Sequence, residues 1–232
     1  MNKLVLVLVL GTGCAKTDSG DLLTSGIYAD VSAITQGSGT TTVNATLFVG
    51  SPLNLNFVEL TGNDQLVATH GSDRKVMVES QLLNIVGHSA DFPVDAEGEM
   101  FDIAFDRTVD QGAPRSTATL PAKFTVAPPP STSSRAAMLT VGWSPSGSGD
   151  AMSFRAEGDC IESFVDSLAG DAGTLAIAAN TLKKRQGTNI ADQCTATLTV
   201  FRTRAGSLDP HYGKGGTVSG IQARVVTFTT TP

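Results

Sequence analysis

Positive charge is scarce in this chain: 16 Lys and Arg stand against 22 Asp and Glu, leaving a net charge of −6. Such a balance lacks the extended basic surface that a phosphate backbone requires, so nucleic acid is excluded as a partner. Charged residues of both signs make up only 16% of the sequence and apolar residues 41%, which excludes a disordered polymer and leaves enough material for a core. Long helix-forming runs of Glu, Lys, Leu and Ala are missing, while Thr and the 24 Gly are abundant. Many short strands joined by turns are expected, and the fold class is all-β.

Histidine is also rare, with only His70, His88 and His211 in separate stretches. None lies in a nucleophile elbow of the GxSxG type, and the sequence has no HExxH, P-loop, CxxC or GxGxxG in a βαβ setting. No catalytic residue, metal site or cofactor is indicated. The Asn63-Asp64 turn after Gly62 has oxygen donors suited to calcium, but Asn, Asp and Gly are also what turns require.

One long apolar run is present, and it is short for a membrane span. Lys3 precedes seven apolar residues, 4–10, and the small residues Gly11, Thr12 and Gly13 lead to Cys14. This arrangement resembles the lipobox of bacterial lipoproteins, with Gly11 where a Leu is usual. Residues 1–13 are therefore expected to be a signal peptide, Cys14 a lipidation site, and residues 14–22 the lipid anchor and a short polar tether. Export leaves Cys160 and Cys194 as the remaining thiols in an oxidising compartment, where pairing is the economical outcome. A metal pair or a reactive thiol finds no supporting motif.

Beyond the tether, apolar residues alternate with polar ones. Ile27, Ala29, Val31 and Ala33 form one such face, and Val43, Ala45, Leu47 and Val49 another. Leu53, Leu55 and Phe57 continue the pattern, and Phe101, Ile103 and Phe105 repeat it. Strand signals recur roughly every ten residues, the spacing of antiparallel sandwiches. The proline-rich stretch 128–135 is read as a linker between a first sandwich, 23–127, and a second, 136–232. In the second, Leu139, Val141 and Trp143 share a face, as do Met152, Phe154 and Ala156, then Cys194, Ala196, Leu198 and Val200, and finally Ile221, Ala223 and Val225. Ile161, Val165 and Leu168 have helical spacing, so a turn or two of helix is expected there. Trp143 is assigned to the second core, near the cysteines.

The segments Leu23-Thr24-Ser25-Gly26-Ile27-Tyr28-Ala29, Leu120-Pro121-Ala122-Lys123-Phe124, Trp143-Ser144-Pro145-Ser146-Gly147, Gly158-Asp159-Cys160 and Arg202-Thr203-Arg204-Ala205-Gly206-Ser207-Leu208-Asp209-Pro210 resemble lipoproteins of myxobacteria and their relatives. The resemblance covers nearly the whole mature chain and carries no activity. It implies an exported lipoprotein of repeated strands with Cys160 paired to Cys194. At fold level it implies two antiparallel immunoglobulin-like or fibronectin-like sandwiches, although Trp143 precedes both cysteines and does not follow the first as in antibody domains.

A candidate ligand loop lies between the last two strong strands, where Arg204, Asp209, His211, Tyr212 and Lys214 gather among glycines. Its alternative reading is a long turn in which Asp209 pairs with Arg204 or Arg224 and Tyr212 covers the sandwich end. Two functions follow. The first is an envelope-anchored, non-enzymatic binding or structural module for an envelope protein or glycan, held to the membrane by lipid. The second is an exported hydrolase-like enzyme with a site outside the known motifs.

Overall fold

The computed structural model describes residues 15–51, 53, 56–82 and 85–232. The expected signal peptide, Cys14 and Leu55 lie outside the described residues. No helix among the described residues is long and apolar enough to cross a membrane. The described chain is all-β, with two short 3₁₀ turns at Ser19–Asp21 and Thr24–Gly26.

Strict alternation builds the first core. β2 (Ile27–Thr35) and β3 (Thr41–Val49), which follow β1 (Ala15–Asp18), turn every second side chain inward and pair antiparallel from Ile27↔Val49 to Thr35↔Thr41. The edge of β3 carries β4 (Asn56–Glu59) and, further along, β8 (Ile85–Phe92), whose outer partner is β7 (Val78–Leu82). A second layer contains β5 (Gln65–His70), β6 (Asp73–Val76), β9 (Met100–Asp106) and β10 (Ala113–Thr119), in the order β10-β9-β5-β6. Leu66, Ala68, Phe101, Ile103 and Phe105 from this layer close on Ile27, Val31, Val43 and Leu47. Each of these Val, Leu, Ile and Phe side chains stabilises the fold by about 1.5–3 kcal/mol when fully buried.

The second core has the same two-layer logic. β14 (Ala151–Gly158), β15 (Ile161–Leu168), β17 (Cys194–Ala205) and β18 (Thr217–Thr231) form one layer. β11 (Thr125–Val126), β13 (Leu139–Ser144) and β16 (Thr174–Ile177) provide the opposing side, while β12 (Thr132–Ser134) joins the first layer beside β18. Trp143, Met152, Phe154, Leu198, Val200 and Phe228 pack there together with Cys160.

Cys160 and Cys194 form the expected disulfide, with Cα atoms 5.7 Å apart. Cys194 sits on the parity of Ala196 and Leu198, so its sulfur turns toward the second core. Replacing both cysteines by Ser is expected to lower stability by about 3 kcal/mol through the released loop entropy. Urea denaturation checks the magnitude, and an unchanged midpoint refutes it.

Several expectations are corrected. The body is not a pair of separate, purely antiparallel sandwiches, because one sheet, ordered β1-β4-β3-β2-β18-β17-β14-β15, serves both cores. β18 joins them by pairing parallel with β2 from Thr217↔Asp30 to Gln222↔Thr35 and antiparallel with β17 along its length. β1 is likewise parallel to β4, and β12 to β18. The stretch 128–135 is therefore no free linker: Thr229 donates its backbone N–H to Ser131 and Arg135 donates to Thr231, both at 2.8 Å. Limited proteolysis is expected to spare it, and an early cut there would contradict this docking. The tether is shorter than expected, since β1 begins at Ala15.

Two local readings also change. Ile161, Val165 and Leu168 lie on β15, an edge strand paired with β14, and not on a helix. Ile161 is buried but Val165 is 64% exposed, so their spacing marks no common buried face. On β18 the even-numbered Val218, Gln222 and Phe228 are buried while Val225 is exposed, opposite to the expected face. Ala223 is buried as well, because the middle of this strand is covered on both sides.

Candidate functional site

β17 and β18 are held in register over twelve residue pairs, and the loop between them crosses the first core. Leu208, Tyr212 and Val218 pack into that core from the loop and its flank. Asp209 is 1% exposed. It accepts the backbone N–H of Arg115 at 2.7 Å and that of His211 at 2.9 Å, while its own N–H donates to Ser116 Oγ at 3.1 Å. A buried carboxylate needs such donors, and here they tie the loop to β10.

His211 lies over Asp209, with Nδ1 2.8 Å from Oδ1 but turned out of line for a good hydrogen bond. On its other side the Gln111 amide Nε2 donates to His211 Nε2 across 2.7 Å. That donation places the neutral ring's proton on Nδ1, facing the carboxylate. The pair lies beside an open cleft of about 450 Å³ lined by Phe105, Arg107, Gln111, Arg115 and His211.

The remaining residues of the expected ligand loop do not converge on this cleft. Arg204 donates from Nε and Nη2 to the two Asp150 oxygens at 2.9 and 3.0 Å, and Arg224 donates to Phe124 O and Gln222 Oε1 at 2.8 and 2.9 Å, so neither is the partner of Asp209. Tyr212 is buried and stacks on Phe105, with centroids 6.1 Å apart. Burial, reinforced by Asp209, holds its phenol far above the ordinary tyrosine range. Lys214 is exposed on the loop. Tyr212 is thus part of the first core, and the donors to Asp209 are the backbone N–H groups of Arg115 and His211. Gln111 and Arg115, which complete the cleft, had no signal in the sequence because they come from the β9–β10 connection and β10.

The other histidines lie in separate surroundings. His70 Nε2 is 2.5 Å from Glu99 Oε2, and the ring contacts Phe101. His88 is buried on β8, with Nε2 3.6 Å from Glu79 Oε2. Burial lowers its pKa below the ordinary histidine value, and Glu79 opposes that shift only in part. Neutral His88 therefore contributes stability that is complete above about pH 6.5 and declines as pH falls from there toward the folded-state value. His88→Leu is expected to flatten this part of the stability–pH curve, and an unchanged slope relative to the parent chain refutes the assignment.

The remaining polar clusters serve the fold. Asp64, from the turn weighed as a calcium site, accepts Arg107 Nε at 3.0 Å, and both side chains are buried. Arg107 also donates to Thr24 Oγ1 at 2.9 Å and to Ser19 O at 2.5 Å, pinning the entry to β2. The sequence does contain one short basic run, Lys183-Lys184-Arg185. Lys184 pairs with Asp192, and Arg185 donates its backbone N–H to Cys160. Compared with known proteins, the chain matches no family model and no curated protein.

Proposed function

We propose that this chain is an envelope lipoprotein, anchored through Cys14, that acts as a non-enzymatic binding or structural module. The single observation that supports the non-enzymatic part is the setting of His211. Its pairing with buried Asp209 has the form of a base and its orienting carboxylate, yet the nitrogen that would accept a nucleophile's proton receives the Gln111 amide instead. Among the described residues the side-chain polar partners of the three histidines are Glu99, Glu79, Asp209 and the Gln111 amide, with no hydroxyl or thiol among them. The anchoring part rests on the apolar run ending at Cys14. Under this reading the two cores are two immunoglobulin-like units fused through one sheet, and the cleft beside His211 with exposed Lys214 is the place for a protein or glycan ligand.

Metabolic labelling with a fatty acid tests the anchor. Label is expected on the parent chain and absent from Cys14→Ser, and equal labelling of both overturns it. The Asp209–His211 pair supports a second reading, the hydrolase-like enzyme. A panel of ester substrates distinguishes the two: turnover by the parent that His211→Ala abolishes establishes the enzyme, and no turnover is expected.

A further inference from the structure

We infer that the end of the β7–β8 hairpin carrying Leu82 and Ile85 is a membrane-contact face that seats in the phospholipid surface beside Cys14. The inference rests on the lipid-anchor reading. Leu82 is 72% exposed and Ile85 46%, and the two are directly opposite each other across the β7–β8 pair. Large apolar side chains gathered at one exposed site mark a surface meant for a partner or a bilayer.

Register places this patch where the anchor leaves the fold. Ala15, the residue after Cys14, pairs with Asn56, and the next residue of β4, Phe57, pairs with Phe48. β8 pairs with β3 only as far as His88 opposite Ala45, and beyond that the β3 edge belongs to β4, so the β7–β8 end runs beside β4, where Gln81 Nε2 donates to Glu59 Oε1 at 3.2 Å. A direct contact agrees: Lys16 Nζ donates to Gln81 Oε1 at 3.0 Å, so the neighbours of Ala15 and Leu82 touch.

Because β1 starts at once, little slack separates an acylated Cys14 from the folded body. The chain holds this face at the bilayer, where effective concentration favours even weak apolar insertion. Charge selects the type of contact. Lys16 is paired with Glu59 at 3.3 Å, and the chain carries a net charge of −6, so attraction to anionic headgroups is absent and the contact is apolar. Lipid is accordingly preferred to a highly charged partner.

The test couples Cys14, the remaining thiol once Cys160 and Cys194 are bonded, to a maleimide lipid in phosphatidylcholine vesicles with brominated acyl chains. Tryptophan is introduced at Leu82 or, as a control, at Val165, which is 64% exposed on the edge strand at the far end of the sheet. Both sites are exposed, so neither variant disturbs a core. Emission added by Leu82→Trp is expected to be quenched at least twofold more than that added by Val165→Trp, and to remain so in 1 M salt (about a 3 Å screening length). Equal quenching at the two sites overturns the proposal. So does a vesicle-free dimer that Leu82→Asp dissolves, which assigns the face to a second copy. Chemical coupling makes the test independent of acylation in cells, so failure of the anchor reading shows separately in the fatty-acid labelling.

Discussion

Gly220→Val is expected to destabilise the protein by at least about 4 kcal/mol, and to do so in both cores at once. A Cβ at this position would lie 1.9 Å from Thr119 O and 2.4 Å from Thr119 C, against backbone that cannot swing aside as a side chain does. β10 crosses the long β17–β18 hairpin here, and Gly206 makes a similar approach to Thr117 O at 2.3 Å. Forcing β10 away would open the first core at Ala118 and Leu120. It would also shift β18, whose Phe228 lies in the second core. Urea denaturation followed by Trp143 fluorescence and by hydrogen exchange of first-core amides provides the check. Coincident, lowered transitions are expected, and an unmoved Trp143 transition contradicts the coupling.

Asp171→Leu is the second substitution with a large expected cost, about 3–5 kcal/mol, because it leaves a guanidinium buried without its counter-charge. Arg202 and Asp171 are both almost wholly inaccessible and meet at 2.7 Å. Arg202 also donates to the carbonyls of Ala122 and Pro145 at 2.9 and 2.7 Å and lies over the Phe124 ring. Asp171 further accepts Trp143 Nε1 at 2.6 Å and the Ser148 N–H and O–H at 3.0 and 2.8 Å. Burial alone would raise the Asp171 pKa, but these donors and the Arg202 charge together outweigh it and hold the carboxyl below its usual range. The pair's stabilisation is therefore complete above about pH 3.9 and lost as pH falls through the lower folded-state value. The double variant Arg202→Met/Asp171→Leu is expected to recover much of the single variant's loss, because it removes the buried charge as well. Additive losses in that cycle would show that the two side chains act separately.

What could be read from sequence was set by parity. The faces of Ile27 to Ala33, Phe101 to Phe105 and Ala196 to Val200 emerge as expected because alternating side chains meet one core from one sheet face. The disulfide was accessible for a chemical reason, a choice between very few thiols. Ile161 to Leu168 misled because β15 is an edge strand: with one flank open, exposed Val165 is tolerated and the alternation disappears. The face of β18 misled because Gly220, Gln222 and Thr230 fill buried even-numbered positions without any apolar signal, while the apolar Val225 is exposed. Nothing local announces a parallel partner almost two hundred positions away. The same distance effect hid half of the cleft. Asp209 and His211 stood together in the loop, whereas Gln111 and Arg115 reach them only through the pairing of layers.

The position of β18 also governs when the molecule can exist. Synthesis delivers β2 nearly two hundred residues before its parallel neighbour, Thr217–Thr231. Until those residues arrive, the first core lacks Val218, the second lacks Phe228, and β2 presents an unpaired edge. Pairings of such long sequence separation form slowly and leave nascent strands open to aggregation. A stop codon placed just before β18 would therefore erase both halves, and a chaperone able to mask the waiting edge of β2 would matter most in the interval before β18 is made.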